Sequence, residues 1–234
     1  MKILIITTTP FRTDTNMGKT LTTLFSAFRN EDLCNLYFSV QRPNIDICSS
    51  YYQVNEKMLI KSLLGLKSNS CGREIAPLLS GYKSIVPEKN PSFFVSRSTN
   101  IEMRIFRDLL WGISHWKNRH LKKWIEKENP DVIFTIMHDM ISAISSVKWV
   151  AKKYQLPVVL FVTDDYYNDS KKSKNLITKI FYFYKKKENI KLAKYCKSLV
   201  GCSKKITTYF SNIFNINRGG YCILRLVANI YNCL

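Results

Sequence analysis

The stretch "DVIFTI", Asp131 to Ile136, runs apolar without alternation. A strand with one wet face alternates apolar and polar residues. An unbroken run of Val, Ile and Phe therefore implies burial on both faces, as in a parallel sheet covered by helices. The same composition recurs at "ILIIT" (Ile3 to Thr7), "LYFSV" (Leu36 to Val40), "PVVLFVTD" (Pro157 to Asp164) and "SLVGCS" (Ser198 to Ser203). Helical patterns separate the later runs. From Arg104 to Glu128, apolar residues at Leu110, Trp111, Trp116, Leu121, Trp124 and Ile125 predict one long helix that stops at Asn129-Pro130. "SAISSVKWVAKKY" (Ser142 to Tyr154) predicts another, ending before Pro157. Strand and helix in alternation are the mark of βαβ units. The expected fold class is α/β: a Rossmann-like, mainly parallel sheet with helices on both faces. From Ser50 to about Asn100, Gly, Ser, Pro and Asn are dense and periodicity is poor, which predicts long connections with a short helix around Lys57 to Leu66.

At 234 residues and 46% hydrophobic, the chain can bury a sizeable core and is not a disordered tail. Its formal net charge is +19, from 36 Lys+Arg against 17 Asp+Glu, which favours anionic partners such as nucleotides, nucleic acid or lipid headgroups. Lysine, asparagine and isoleucine abound together, so compositional drift accounts for part of that charge. Cys34, Cys48, Cys71, Cys196, Cys202, Cys222 and Cys233 show neither C-x-x-C nor Cys-His ligand spacing, so no metal site or redox pair is expected. The N-terminal apolar run is too short for a signal-peptide core or a membrane span, which makes a cytoplasmic location the expectation.

"TNMGKT", Thr15 to Thr20, resembles the end of a P-loop. Such a loop needs a second glycine five positions before Gly18, and that position is Thr13. What survives is a strand, a polar loop and a helix N-terminus at Gly18-Lys19, generic geometry for an anion. A tight entry into the first helix explains Gly18 equally well.

In open α/β sheets ligands collect at the carboxyl ends of strands. His138 stands just past "VIFTIM", where an imidazole can bond a sugar hydroxyl or act as a base, or can cap the following helix. "TDDYYND" (Thr163 to Asp169) offers Asp164 or Asp165 to an acceptor's hydroxyls and Tyr166 to a sugar ring, with helix capping as the alternative role for one aspartate. From Lys171 to Lys197, ten lysines against one glutamate flank "FYFY". That pattern suits an anionic bilayer or nucleic acid, and equally a solvated helix face over an ordinary core stripe.

In their order, "MKILIITTTPF…MGKTL", "PDVIFTIMHD", "LPVVLFVTDDYY" and "SLVGCSKKITTYF" resemble the N-terminal, acceptor-side half of a GT-B glycosyltransferase of the family 4-like type, found in surface-polysaccharide biosynthesis. The resemblance covers about Met1 to Phe214, and implies one domain over residues 1–214 with a short C-terminal tail at 215–234. It implies His138 and Asp164 as catalytic residues, Gly18 and Lys19 at the donor diphosphate, and Asp139, Asp165 and Tyr166 on the acceptor, with no metal. The acceptor would be a saccharide or lipid-linked, the donor a nucleotide-sugar serving as substrate, and no separate cofactor is implied. Family members usually carry two glycines in the first loop, whereas Met17 precedes Gly18 here. They also continue into a donor-binding second domain. On that comparison the chain is expected to be inactive alone, as a truncated remnant or a half-enzyme that needs a partner chain. Peripheral contact with an anionic membrane at its inner face is the accompanying expectation. A basic nucleic-acid-binding protein is the remaining alternative, weakened by the lack of any recognised nucleic-acid motif.

Overall fold

All five residues of strand β1 (Ile3–Thr7) are buried, and so are all five of β2 (Leu33–Tyr37). Two covered faces are what their unbroken apolar sequences require. The computed structural model describes residues 1–65, 71–78, 101–163 and 175–216, together with the backbone of 218–220. It forms two compact units, Met1–Pro130 and Asp131–Leu234. Each is an α/β layer, and the strands are mainly parallel with helices packed against them.

In the first unit α1 (Asn16–Phe25) connects β1 to β2, and β3 (Ser50–Gln53) continues the parallel order beside β2. After α2 (Glu56–Leu63), the short β4 (Arg73–Glu74) pairs antiparallel with β3, giving the order β4-β3-β2-β1. Helices α3 (Ile101–Ile113) and α4 (Arg119–Glu128) complete the unit. Two amides buried inside it donate to backbone carbonyls. Asn35 Nδ2 donates to Ile5 O at 2.9 Å, and Gln53 Nε2 donates to Ser39 O at 2.8 Å. Such bonds offset the desolvation of an amide in a core.

The second unit carries β5 (Val132–Ile136), α5 (Ile141–Tyr154), β6 (Val158–Val162), α6 (Leu176–Ala193), β7 (Cys196–Gly201), α7 (Lys204–Phe214) and β8 (Arg218–Gly220). Its strands lie in the order β5-β6-β7-β8, all parallel. Three helices stop by the same device. Asn129, Gln155 and Asn215 adopt left-handed φ of 45°, 53° and 51° and return their N–H to a carbonyl one turn back. Pro130 follows the first of them, and Pro157 lies two residues past the second.

The structure departs from the sequence reading at several places. The helix predicted from Arg104 to Glu128 is two helices, broken at 114–118. Asn118 restarts the second by accepting from Leu121 N at 2.9 Å, and the break lets Trp116 turn inward against Trp111, with centroids 5.9 Å apart. The apolar spacing runs through the break, which hid it. The strand expected at Leu36–Val40 begins three residues earlier, and the one expected at Ser198–Ser203 begins two earlier. The stretch from Ser50 holds a strand as well as connections. The hydroxyl of Tyr51 accepts from Ile47 N and Cys48 N, both at 3.0 Å, and donates to Ile45 O at 3.0 Å, which anchors β3. Residues 218–220, in the expected tail, form β8 beside β7.

Candidate functional site

Gly18 lies inside α1, at its third position. Thr15 caps the helix, its hydroxyl accepting from Gly18 N at 3.2 Å. A Cβ at Gly18 would stand 2.5 Å from Arg12 O and 2.5 Å from Thr15 Oγ1, so the preceding loop is folded tightly onto the helix. That loop satisfies itself. Arg12 donates to Asp14 and, at 2.7 Å, to Arg42 O, while Thr13 N donates to Asn44 Oδ1 at 2.9 Å. The Arg12 guanidinium, hydrogen-bonded to Asp14, holds that carboxyl below the usual carboxylate range. An internal anion therefore already sits beside the helix N-terminus, where the dipole favours it. Lys19 is exposed, with its backbone N–H bonded to Thr15 O at 2.9 Å. Gly18 is thus required for packing whatever it binds. Gly18→Ala is expected to cost about 1–3 kcal/mol through overpacking against backbone, read as a lowered denaturant midpoint; an unchanged midpoint would show that the loop yields freely.

His138 and Asp139 belong to the second unit, just beyond β5. His138 is buried, and its Nε2 lies 3.1 Å from Thr135 Oγ1 on the strand it follows. Asp139 Oδ1 accepts from Lys185 Nζ at 2.5 Å. Lys185 is 1% exposed and its ammonium also lies 5.1 Å from the Tyr182 ring centroid. The pair joins the loop after β5 to α6 across 46 residues of sequence. Asp139 is therefore tied to the interior through its carboxylate. Lys185, which the sequence offers as one of a run of surface lysines, is part of the interior instead. Asp164, Asp165 and Tyr166 lie outside the described residues.

Farther along α6, Glu188 is buried and bridges Lys148 of α5 and Lys191, the latter at 2.6 Å. Burial alone would raise the Glu188 carboxyl, but the two ammonium groups bonded to it outweigh that and hold it below the usual range. Phe181, Lys185, Glu188 and Leu192 form the inward stripe of α6. Its outward face carries Leu176, Ile180, Phe183 and Lys187, exposed. Apolar residues therefore stand on both faces of this helix.

Burial pushes the thiols of Cys34 and Cys196 far up, which keeps them protonated and unreactive. Among the described residues no three of His, Cys, Asp and Glu gather in a set suited to a metal ion, and no helix is long and apolar enough to cross a membrane. Sequence reasoning also passed over a cationic cleft in the first unit at the start of α4, with His115, Arg119, His120 and Lys123. Its one sequence signal is Arg-His opening a helix, where acidic residues are usual. No protein-family model matches the sequence, and no curated protein matches it.

Proposed function

We infer that the chain serves as the acceptor-side part of a glycosyltransferase, moving a sugar from a nucleotide-sugar to a saccharide or lipid-linked acceptor in surface-polysaccharide biosynthesis. The observation that carries this reading is His138, held at the carboxyl end of a fully buried parallel strand by a hydroxyl of that same strand. Carboxyl ends of parallel strands are where α/β sheets bind ligands. Chemistry of this kind depends on placement and on electrostatic support of the leaving group, so an oriented imidazole beside the acceptor suits it. The Lys185 ammonium holds Asp139, the next residue in sequence, by a bond to its carboxylate.

Saturation-transfer NMR with a panel of oligosaccharides tests the acceptor reading on the whole chain. Saccharide signals are expected with the wild type and lost in His138→Asn, which keeps a polar partner for Thr135. Absence of signal for every saccharide, or full signal in the variant, would remove the reading.

Contact with an anionic membrane is supported by the outward face of α6, where Leu176, Ile177, Ile180 and Phe183 are exposed beside Lys179 and Lys187. Rings and aliphatic groups would enter the interfacial layer while lysines meet headgroups. Each lysine at such a surface contributes about 1 kcal/mol. Lys179→Gln, Lys187→Gln and Lys194→Gln together are expected to weaken co-sedimentation with anionic liposomes on the order of 100-fold. Equal binding to neutral and anionic vesicles would refute the electrostatic part.

A further inference from the structure

The first unit holds a cavity of about 690 Å³ lined by Ser62, His115, Asn118, Arg119, His120 and Lys123, among others. Its volume falls in the range of small-ligand sites, roughly 300–1,000 Å³. Its chemistry is one-sided. No carboxylate lines it among the described residues, and His115, Arg119, His120 and Lys123 are exposed with no ion pair or hydrogen bond there.

Two further observations concern the same spot. Helix α4 begins at Arg119 and has no acidic residue in its first turn. Cations at a helix N-terminus oppose the macrodipole, and the first N–H groups have no partner within the helix. The local sequence thus works against the helix it opens, a conflict that proteins tolerate mainly at functional positions. The second is the capping residue. Asn118 accepts through Oδ1 from Leu121 N at 2.9 Å, while its Nδ2 is buried and has no hydrogen-bond partner. A buried donor left unpaired is costly, and its residue borders the same cavity as the four basic side chains.

We propose that this cavity binds the phosphate group of a phosphorylated small molecule, with the opening N–H groups of α4, Arg119 and Lys123 as its donors. An anion there would reverse the unfavourable charge on the helix terminus and accept charge-assisted bonds from the arginine fork. The cavity is much larger than a phosphate ion, so an organic portion would fill the remainder. A smaller cavity of about 390 Å³ shares His120 and Lys123 and is lined by Tyr52 and Trp124, which gives that portion an aromatic neighbour. This site is built from residues of the first unit alone and does not depend on the function inferred from His138.

The test is calorimetric titration of the full chain with inorganic pyrophosphate and with inorganic phosphate at constant ionic strength. Pyrophosphate is expected to bind and to bind more tightly than phosphate. Two variants should each weaken it about tenfold or more: the double variant Arg119→Gln with Lys123→Gln, and Asn118→Asp, which keeps the helix cap but puts a negative charge beside the cavity. A control double variant, Lys152→Gln with Lys204→Gln, removes the same charge from the other unit and should bind as the wild type does. Circular dichroism checks that all variants are folded. No pyrophosphate binding by the folded wild type would overturn the proposal. So would equal losses in the control, which would reduce the effect to net charge, or unchanged binding in Asn118→Asp.

Discussion

Trp124→Ala is expected to destabilise the chain by about 3–5 kcal/mol, the usual cost of deleting a large aromatic side chain from a packed interior. Trp124 is 2% exposed. Its ring lies 5.2 Å from that of Tyr52 on β3, and its Nε1 donates to Ser50 Oγ at 3.1 Å on the same strand. One side chain thus fixes α4 to β3 by both packing and direction. Truncation would leave a void bounded by a sheet that cannot collapse into it, and would also orphan the Ser50 hydroxyl. Trp124→Phe should lose mainly the hydrogen bond, about 1 kcal/mol. Guanidinium unfolding of both variants, followed by circular dichroism, is the measurement. Equal small losses in the two would show that the aromatic contact with Tyr52 contributes little.

Glu188→Gln is expected to cost about 2 kcal/mol at pH 7. The figure is below that of a fully buried pair because Lys148 and Lys191 are 19% and 45% exposed and can return to water. Its pH dependence identifies the cause. The Glu188 carboxyl is held below its ordinary value of 4.5 in the folded state. A lowered carboxyl contributes stability that is fully present above its unfolded value and is lost as pH falls through the folded one. The gap between wild type and Glu188→Gln should therefore be flat from pH 7 down to about 5 and close as acidification continues. A gap that persists unchanged at about pH 3 would assign the loss to packing rather than charge. A denaturant series at fixed pH steps resolves the two.

Unbroken apolar runs announced β1, β5 and β6, because a strand buried on both faces needs no polar residue anywhere along it. The periodic stripe Leu121, Trp124, Ile125 and the Asn-Pro stop announced α4 for a similar reason, since both its face and its end are encoded within a few residues. β3 went unseen. Only four residues long, it is held by a tyrosine hydroxyl serving backbone groups of the preceding loop, and no period can form over that length. The α3–α4 break went unseen because a stripe of apolar residues continues across it, and only Asn118 marks the restart.

Local composition by itself determined the α/β class, the parallel character of the strands and the candidate positions past their ends, since each depends on neighbours in sequence. Tertiary structure decided how Gly18 and one member of the lysine run are packed. Lys185 sits between basic neighbours and reads as one more surface charge, yet it is buried because Asp139, 46 residues away, pairs with it. Gly18 reads equally as a phosphate glycine or a tight helix entry, and in the fold Arg12 O and Thr15 Oγ1 occupy the space a side chain would need. A charge or a glycine carries no record of its partner in its own surroundings. Burial cost and close approach are properties of two segments brought together, so only the folded chain could assign them.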